Sequence, residues 1–230
     1  MKIFGLQKLT LLDFPGQIAC TVFTAGCNMR CPFCHNASLV THIDADEYMD
    51  EEEFFAFLKK RTGVLDGVAI TGGEPTLVPD LPEFMEKVRS MGFKVKLDTN
   101  GTRPDVLRRV VNAGLADYVA MDIKNSKENY GKTVGIPGFL LTPIEESVDI
   151  LMNSGVPFEF RTTVVDGLHS PADFESIGRW LKGDELYFLQ NFKDSGDLIS
   201  SGMTGKTPEQ MNECLEAVKP FIPKAELRGI

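Results

Sequence analysis

Strand-like and helix-like segments alternate about six times along this chain of 230 residues. The strand-like runs are rich in β-branched and aromatic residues and are mostly flanked by Gly, Asp or Asn. They cover residues 18–24, 67–71, 93–98, 117–123, 158–165 and 185–190, with a further short run at 225–229. The helix-like segments cover residues 50–60, 81–91, 103–113, 142–153, 171–181 and 207–218. This alternation predicts an α/β fold, a parallel sheet with helical crossovers.

The number of strand–helix units limits the architecture. A closed eight-unit barrel takes roughly 250 residues, and this chain has room for about six units. We therefore expect a partial (β/α)6 barrel, built as a single domain over residues 1–230. Its core is expected at about 17–190, with an N-terminal extension at 1–16 and a C-terminal helix and strand at 205–230.

Polar and metal-binding residue types follow four of the predicted strands. The stretch GCNMRCPFC follows the first strand, GGEP the second, Asp98 to Gly101 the third, and Asp122 with Lys124 the fourth. In parallel α/β folds, ligands bind beyond the carboxyl ends of the strands. The sequence therefore predicts a binding site where these segments converge on one rim.

Composition excludes some classes of function. A net charge of −9 argues against a nucleic-acid-binding surface, which normally carries a basic stripe. No run approaches the ~18 consecutive apolar residues that a membrane span needs. We expect a cytoplasmic protein without a membrane or nucleic-acid partner, and in that compartment clustered cysteines are metal ligands or catalytic thiols rather than disulfides.

Cys27, Cys31 and Cys34 form a thiol cluster with the spacing C-x3-C-x2-C. A c-type haem matches the C-x-x-C-H pattern that ends at His35, although haem attachment usually implies export. An ordinary electron-transfer cluster would use four cysteines. A structural zinc site also needs a fourth ligand, for which the candidates are His35, His42 and Cys214. A [4Fe–4S] cluster on three thiolates leaves one iron open for chemistry, and the spacing alone leaves zinc and this cluster as alternatives.

Two motifs together resemble the radical S-adenosylmethionine (SAM) superfamily. Its C-x3-C-x2-C motif ends a first strand, with an aromatic residue, here Phe33, before the third cysteine. Its second signature is a Gly-Gly-Glu-Pro turn after the next strand, present here as Gly72, Gly73, Glu74 and Pro75.

Further motifs are similar to those of the glycyl-radical-enzyme activating proteins, and the resemblance covers about residues 11 to 190. They are LLDFPG (11–16), CHN (34–36), LDTNG (97–101) and MDIK (121–124). The segment YFLQNF (187–192) resembles the longer form of anaerobic ribonucleoside-triphosphate reductase activating protein. It departs from pyruvate formate-lyase activating enzyme, which has a histidine about where Phe192 stands.

The resemblance implies a TIM-like partial barrel with an open lateral cleft, and a [4Fe–4S] cluster held by Cys27, Cys31 and Cys34. SAM would chelate the open iron, and an electron from the cluster would release methionine and a 5′-deoxyadenosyl radical. The radical would take hydrogen from a glycine of a partner, either anaerobic ribonucleotide reductase or a pyruvate formate-lyase-like enzyme. An electron donor such as flavodoxin or ferredoxin is also implied.

The resemblance also implies roles for other residues. Phe33, His35, Gly72, Gly73 and Glu74 are expected around SAM, with the glycine backbone at its amino group. In pyruvate formate-lyase activating enzyme a monovalent cation lies beside the SAM carboxylate, at positions that correspond to Asp98, Thr99 and Asp122. Lys124 and Arg161 would balance carboxylate charge, and Asp13 would lie near the entering glycyl loop.

Two alternatives of different classes remain. One is a small-molecule radical SAM enzyme similar to 7-carboxy-7-deazaguanine synthase, against which the CHN and LDFPG stretches speak. The other is an electron carrier or a zinc-stabilised binding module, which would not cleave SAM.

Overall fold

A computed structural model describes residues 1–183 and 186–229 and places its strands in an eight-stranded sheet. Neighbouring strands follow the chain order, β1–β2 being antiparallel and all later pairs parallel. Within the described residues the edge strands β1 and β8 do not pair, so the barrel is open on one side. The strands are β1 (Gly5–Thr10), β2 (Ala19–Thr24), β3 (Gly67–Gly72), β4 (Lys94–Thr99), β5 (Tyr118–Asp122), β6 (Phe158–Val164), β7 (Tyr187–Asn191) and β8 (Glu226–Arg228). The predicted partial barrel with an open lateral side is confirmed.

All six predicted helices are present, together with short helical turns in the connections. The helices are α1 (Ser38–Thr41), α2 (Glu51–Lys59), α3 (Leu81–Ser90), α4 (Pro104–Asn112), α5 (Tyr130–Thr133), α6 (Thr142–Met152), α7 (Pro171–Trp180) and α8 (Pro208–Val218), with a 3₁₀ turn at Pro75–Leu77. Proline stands at the first or second position of α3, α4, α6, α7 and α8. There its fixed φ suits a helix and its missing N–H costs no hydrogen bond.

Local sequence also sets the start of α8. The Thr207 hydroxyl accepts a hydrogen bond from the N–H of Gln210 at 3.3 Å, and the Gln210 side chain accepts one from the N–H of Thr207 at 2.9 Å. This reciprocal pair satisfies two donors that a helix N-terminus otherwise leaves without partners.

The sequence assigned no strand to the N-terminal extension, whereas residues 5–10 form β1 at the edge of the sheet. Five of the six side chains of β1 are partly or fully exposed, so the strand lacks the apolar alternation that reveals a buried strand. The predicted start of the sixth strand, Glu185, lies outside the described residues; β7 begins at Tyr187.

The two faces of the sheet have opposite character. Side chains alternate between faces along a strand, and in β4 Val95 and Leu97 join the hydrophobic core under the helices while Lys96 and Asp98 face the barrel interior. Other interior positions are also polar: Thr21, Tyr118, Asp122, Glu159, Arg161, Thr163, Gln190 and Arg228. The interior is therefore suited to a polar ligand. No helix among the described residues is long and apolar enough to cross a membrane.

Candidate active site

One cavity lies at the carboxyl ends of the parallel strands, and its empty volume is about 920 Å³, open mouth included. Its lining includes every predicted site residue except Asp13: Cys27, Cys31, Phe33, Cys34, His35, Gly72, Gly73, Glu74, Asp98, Thr99, Asp122, Lys124 and Arg161. The strand ends that the sequence predicted to converge therefore line one pocket.

The thiol loop follows β2 directly and is held by hydrogen bonds within the loop. Arg30 folds back over it, and its Nη1 donates to the carbonyl oxygens of Cys27 and Met29 at 2.7 and 2.8 Å. The N–H of Cys34 donates to the carbonyl oxygen of Cys31 at 3.1 Å. Phe33 is buried and meets the ring of His169 edge to face, with centroids 6.4 Å apart. The loop therefore presents its three cysteines to the cavity.

The environment of the thiols suits metal ligation. Burial raises the pKa of Cys31 to about 12 and raises the pKa of Cys27, so without a metal these thiols stay protonated; a bound metal ion holds a coordinating thiol deprotonated. Cys27 Sγ accepts hydrogen bonds from the N–H of Met29 at 3.4 Å and from Asn100 Nδ2 at 3.7 Å. Hydrogen bonds to cysteine sulfur are one means by which proteins set the potential of iron–sulfur clusters.

A three-thiolate cluster and a single ion place different demands on the ligands. Among the described residues, no three His, Cys, Asp or Glu side chains converge as the ligands of one metal ion do. A [4Fe–4S] cluster does not require that convergence, because each of its thiolates binds its own iron atom. The three cysteines at the cavity wall fit such a cluster.

The Gly72–Gly73 turn packs against the start of the thiol loop. A Cβ on Gly73 would lie 2.1 Å from the carbonyl oxygen of Gly26, and one on Gly72 would lie 2.3 Å from that of Thr24. Gly72 also has a φ of +117°, which L side chains rarely adopt. Asn36 Nδ2 donates to the Gly72 carbonyl oxygen at 2.9 Å and ties the far end of the thiol loop to the same turn. Both glycines are thus required by the close approach of two backbone segments.

Glu74 joins the ends of β3 and β4. Its carboxylate is buried and accepts hydrogen bonds from the Thr99 hydroxyl at 2.8 Å and the Asn100 N–H at 2.6 Å, and also from the N–H and hydroxyl of Thr76. Burial raises the pKa of Glu74, although these four donors oppose the rise. Both carboxylate oxygens are engaged by the protein, so this side chain positions the loops around the cavity.

A row of ion pairs crosses the interior face from β4 to β6. Arg161 Nη2 donates to Asp98 Oδ2 at 2.9 Å, and Arg161 Nε donates to Asp122 Oδ1 at 2.6 Å. Lys124 Nζ donates to Asp122 Oδ2 at 2.9 Å, and Lys96 Nζ pairs with Asp98 Oδ1. Burial by itself would raise the pKa of both aspartates, but Arg161 with the two lysines holds each below its usual value. The row therefore stays ionised.

The monovalent cation expected at Asp98, Thr99 and Asp122 does not fit these contacts. All four carboxylate oxygens already accept from side-chain cations. The Thr99 hydroxyl donates to Glu74 and accepts from the N–H of Gly101 at 3.1 Å. A hard cation needs several oxygen ligands at once, and here those oxygens are engaged by the protein.

The remaining two predicted residues have separate surroundings. His35 stacks on Phe192 with centroids 5.1 Å apart, and its Nε2 hydrogen bonds to the Lys193 carbonyl oxygen at 2.8 Å. Asp13 is not part of the cavity wall. It lies in the β1–β2 connection, where it accepts a hydrogen bond from the Thr21 hydroxyl. Because β1 runs antiparallel, that connection is at the opposite end of the sheet from the thiol loop.

The cavity also contains residues to which the sequence analysis gave no role. They are Val40, Thr71, Thr163 and Gln190, with Met29, Asn36, Pro75 and Asn100 from recognised motifs. Thr163 lies two residues after Arg161 on β6, so the period of a strand puts both on the same face. The two-residue period of a strand could therefore have identified Thr163 from the sequence. Gln190 pairs with Thr163 across β6 and β7, which only the register reveals.

The structure is an open α/β barrel that carries three cysteines and a glycine turn at the carboxyl ends of its parallel strands. These features identify the protein class to which the chain belongs. The sequence profile of the radical SAM superfamily matches residues 21–181. The chain therefore belongs to the radical SAM superfamily, and as a member of it uses a [4Fe–4S] cluster and SAM.

Two similar proteins indicate the kind of radical SAM enzyme that this chain resembles. A protein of Methanocaldococcus jannaschii, provisionally named a glycyl-radical enzyme activating enzyme, is 31% identical over 99% of this chain and 96% of its own length. The pyruvate formate-lyase-activating enzyme of Clostridium pasteurianum is 27% identical over 73% of this chain and 70% of its own. These matches confirm the resemblance to activating enzymes that the motifs indicated.

Solved structures support the fold. A radical SAM methyltransferase from Sphaerobacter thermophilus aligns with a TM-score of 0.71 at 18% identity, covering 96% of this chain and 68% of that one. At this identity the likeness concerns the fold alone.

Proposed function

We propose that this enzyme cleaves SAM reductively and generates a glycyl radical on a partner enzyme. The observation that carries the proposal is the joint placement of the three thiols, the glycine turn and the ion-pair row around one cavity. That cavity lies in a barrel whose edge strands leave one side open. A polypeptide loop of a partner needs such an opening to bring a backbone α-carbon to the reacting atoms.

The chain's residues take distinct roles in this proposal. Cys27, Cys31 and Cys34 would hold the cluster, which when bound and reduced would supply the one electron that cleavage of the SAM sulfur–C5′ bond requires. That cleavage would release methionine, and the 5′-deoxyadenosyl group would take one hydrogen atom from the glycine α-carbon. The result would be 5′-deoxyadenosine and a carbon-centred radical on the partner.

The other cavity residues bind and orient SAM. The backbone at Gly72 and Gly73 binds the methionine amino group. The Glu74 carboxylate holds this turn in place through its hydrogen bonds to the end of β4. We place the SAM carboxylate beside Lys124 and Arg161. The ion-pair row has three cations for two aspartates, and its one excess positive charge would attract that carboxylate. A guanidinium fork matches a carboxylate well. Phe33 and His35 border the adenosyl side of the cavity.

Anaerobic ribonucleoside-triphosphate reductase is the first candidate partner. This choice is supported by the segment YFLQNF, whose Phe192 is 3% exposed and stacks on His35 at the cavity edge. A pyruvate formate-lyase-like enzyme is the second candidate. A flavodoxin or ferredoxin would supply the electron in the cytoplasm. In this proposal the whole chain forms a single radical SAM domain.

The proposal is tested by incubating the reconstituted enzyme anaerobically with SAM, a strong reductant and each candidate partner. We expect 5′-deoxyadenosine and a glycyl radical signal in electron paramagnetic resonance (EPR), and no radical when the target glycine of the partner is replaced by alanine. Cys31→Ala should abolish both products, because it removes one of three cluster ligands. Cys214→Ala is the matched control, since Cys214 is buried in α8 away from the cavity and should leave both unchanged.

The other outcomes discriminate between the alternatives. A radical on only the formate-lyase-type partner would replace the first partner by the second. SAM cleavage without a radical on either protein would favour a small-molecule substrate. Bound zinc without iron, and no cleavage, would contradict radical SAM chemistry altogether.

A further inference from the structure

Lys96 is an unusual residue for its position. It lies in the middle of the sheet on β4, between Ala69 of β3 and Tyr118 of β5, and its side chain is only 3% exposed. Burying an ammonium group is strongly unfavourable unless an opposite charge accompanies it. Its ion-pair partner is Asp98, so the two charges are retained together one layer below the cavity.

The contacts of Asp98 show what Lys96 does. Of the two carboxylate oxygens, Oδ2 accepts from Arg161 at 2.9 Å and Oδ1 pairs with Lys96. Without Lys96, one oxygen of a largely buried carboxylate would have no cation. The natural substitute would be a small ion from solution, coordinated by that oxygen and others nearby.

The charge balance points the same way. Lys96, Arg161 and Lys124 contribute three positive charges and Asp98 and Asp122 contribute two negative ones. Removing the lysine charge makes the row neutral, and the excess positive charge that faces a bound carboxylate is lost. A bound monovalent cation would restore the same balance.

We propose that the ammonium group of Lys96 takes the place of a monovalent metal cation beside the SAM carboxylate, so that SAM binds without added K⁺ or Na⁺. Lys96 is a positioning residue, because it does not border the cavity and acts through Asp98 and Arg161. The inference rests on SAM as the ligand and does not depend on the partner enzyme.

The test measures SAM affinity rather than turnover. The dissociation constant of the reconstituted protein is determined calorimetrically in a buffer whose only cation is tetramethylammonium, and again with K⁺ or Na⁺ added. For the wild type we expect less than about a twofold change. For Lys96→Met, which keeps most of the side-chain volume, we expect SAM binding to weaken about tenfold without the metal cation and to recover when it is added.

A second lysine of the same strand provides the control. Lys94 begins β4 and its ammonium donates to the side chain of Gln17 at the exposed end of the sheet. Lys94→Met should bind SAM like the wild type in every buffer. The EPR spectrum of the reduced cluster with SAM gives an independent readout, and for Lys96→Met it should change between buffers with and without K⁺.

Several results would overturn the proposal. A wild-type affinity that rises about tenfold on addition of K⁺ would show that the metal site is in use. Lys96→Met with unchanged SAM binding, or with a loss that no cation recovers, would show that the ammonium does not replace an ion. If Lys96→Met does not fold, the wild-type cation series alone decides. None of these outcomes would change the assay of radical transfer to the partner.

Discussion

His169 shows at the residue scale how one buried side chain holds the site together. It is 4% exposed, and its Nδ1 accepts the N–H of Val165 at 3.1 Å. Nδ1 is therefore the acceptor and Nε2 carries the hydrogen that is donated to the Lys124 carbonyl oxygen at 2.8 Å. The ring also meets Phe33 of the thiol loop. The neutral imidazole thus connects the end of β6 to the segment after β5 and to the thiol loop.

This arrangement predicts a pH dependence of stability. Burial lowers the pKa of His169, and its hydrogen bonds to Lys124 and Val165 only partly oppose this. The unfolded chain then takes up a proton at higher pH than the folded protein does, so the free energy of unfolding decreases as pH falls below about 6.5. The contribution of this residue is at most about 1.4 kcal/mol per pH unit. Urea unfolding between neutral pH and about pH 5 measures it.

The variant His169→Gln isolates this contribution, because glutamine does not titrate. Its stability should change less with pH over the same range than that of the wild type. His42→Gln makes the same change at an exposed position and should retain the wild-type slope. An equal slope for His169→Gln and the wild type would contradict the assignment.

At the scale of elements, the site depends on how closely the end of β3 approaches the end of β2. The N–H of Gly73 donates to the Thr24 carbonyl oxygen at 2.9 Å, and the N–H of Glu74 donates to that of Gly26 at 2.7 Å. Gly26 directly precedes Cys27, so any displacement of this contact is transmitted to the first cysteine of the thiol loop. The Gly-Gly-Glu-Pro motif and the cysteine motif are thus one structural unit.

Gly73→Ala is expected to separate these elements. The new Cβ would lie 2.1 Å from the Gly26 carbonyl oxygen, and backbone cannot rotate away as a side chain can. We expect a loss of about 1–3 kcal/mol in the free energy of unfolding, together with lower iron incorporation during reconstitution. Chemical unfolding and iron analysis measure the two effects.

Gly155→Ala is the control for this substitution. Gly155 lies between α6 and β6 and has no left-handed φ, and a Cβ added there would meet no described residue beyond its two chain neighbours within 4 Å. The stability of this variant should stay within about 1 kcal/mol of the wild type. If Gly73→Ala behaved like Gly155→Ala, the close approach would not matter.

At the scale of the whole molecule, the barrel is blocked at the end opposite the cavity. Phe14, from the β1–β2 connection, is 3% exposed and packs beside Gly67 and Tyr118 at the starts of β3 and β5. Its neighbour in that connection, Leu12, is 90% exposed. Phe14 therefore closes the interior with an apolar ring where the polar lining ends.

We expect Phe14→Ala to lower the free energy of unfolding by about 3–5 kcal/mol, because it leaves a cavity at this end of the barrel. Leu12→Ala should change it by no more than about 0.5 kcal/mol. Urea unfolding of both variants measures the difference. A small effect of Phe14→Ala would mean that the connection contributes little to the fold.

Much of this architecture could be predicted because its signals are local. Strand composition, proline at helix starts and the spacing of Cys27, Cys31 and Cys34 each act within a few residues. The edge strand β1 escaped prediction because its side chains are mostly exposed and do not alternate. The position of Asp13 also followed from β1, since the antiparallel pairing sends its loop to the far end of the sheet.

The sequence by itself determined the alternation of elements, the three-cysteine loop and the glycine turn that follows the next strand. Only the tertiary structure decided that Lys96 reaches Asp98 under the cavity, that Arg161 bridges Asp98 and Asp122, and that Glu74 joins two loops. The physical reason is that these contacts cross between strands far apart in the chain. Which charges meet there depends on sheet register and burial, and no local pattern encodes either.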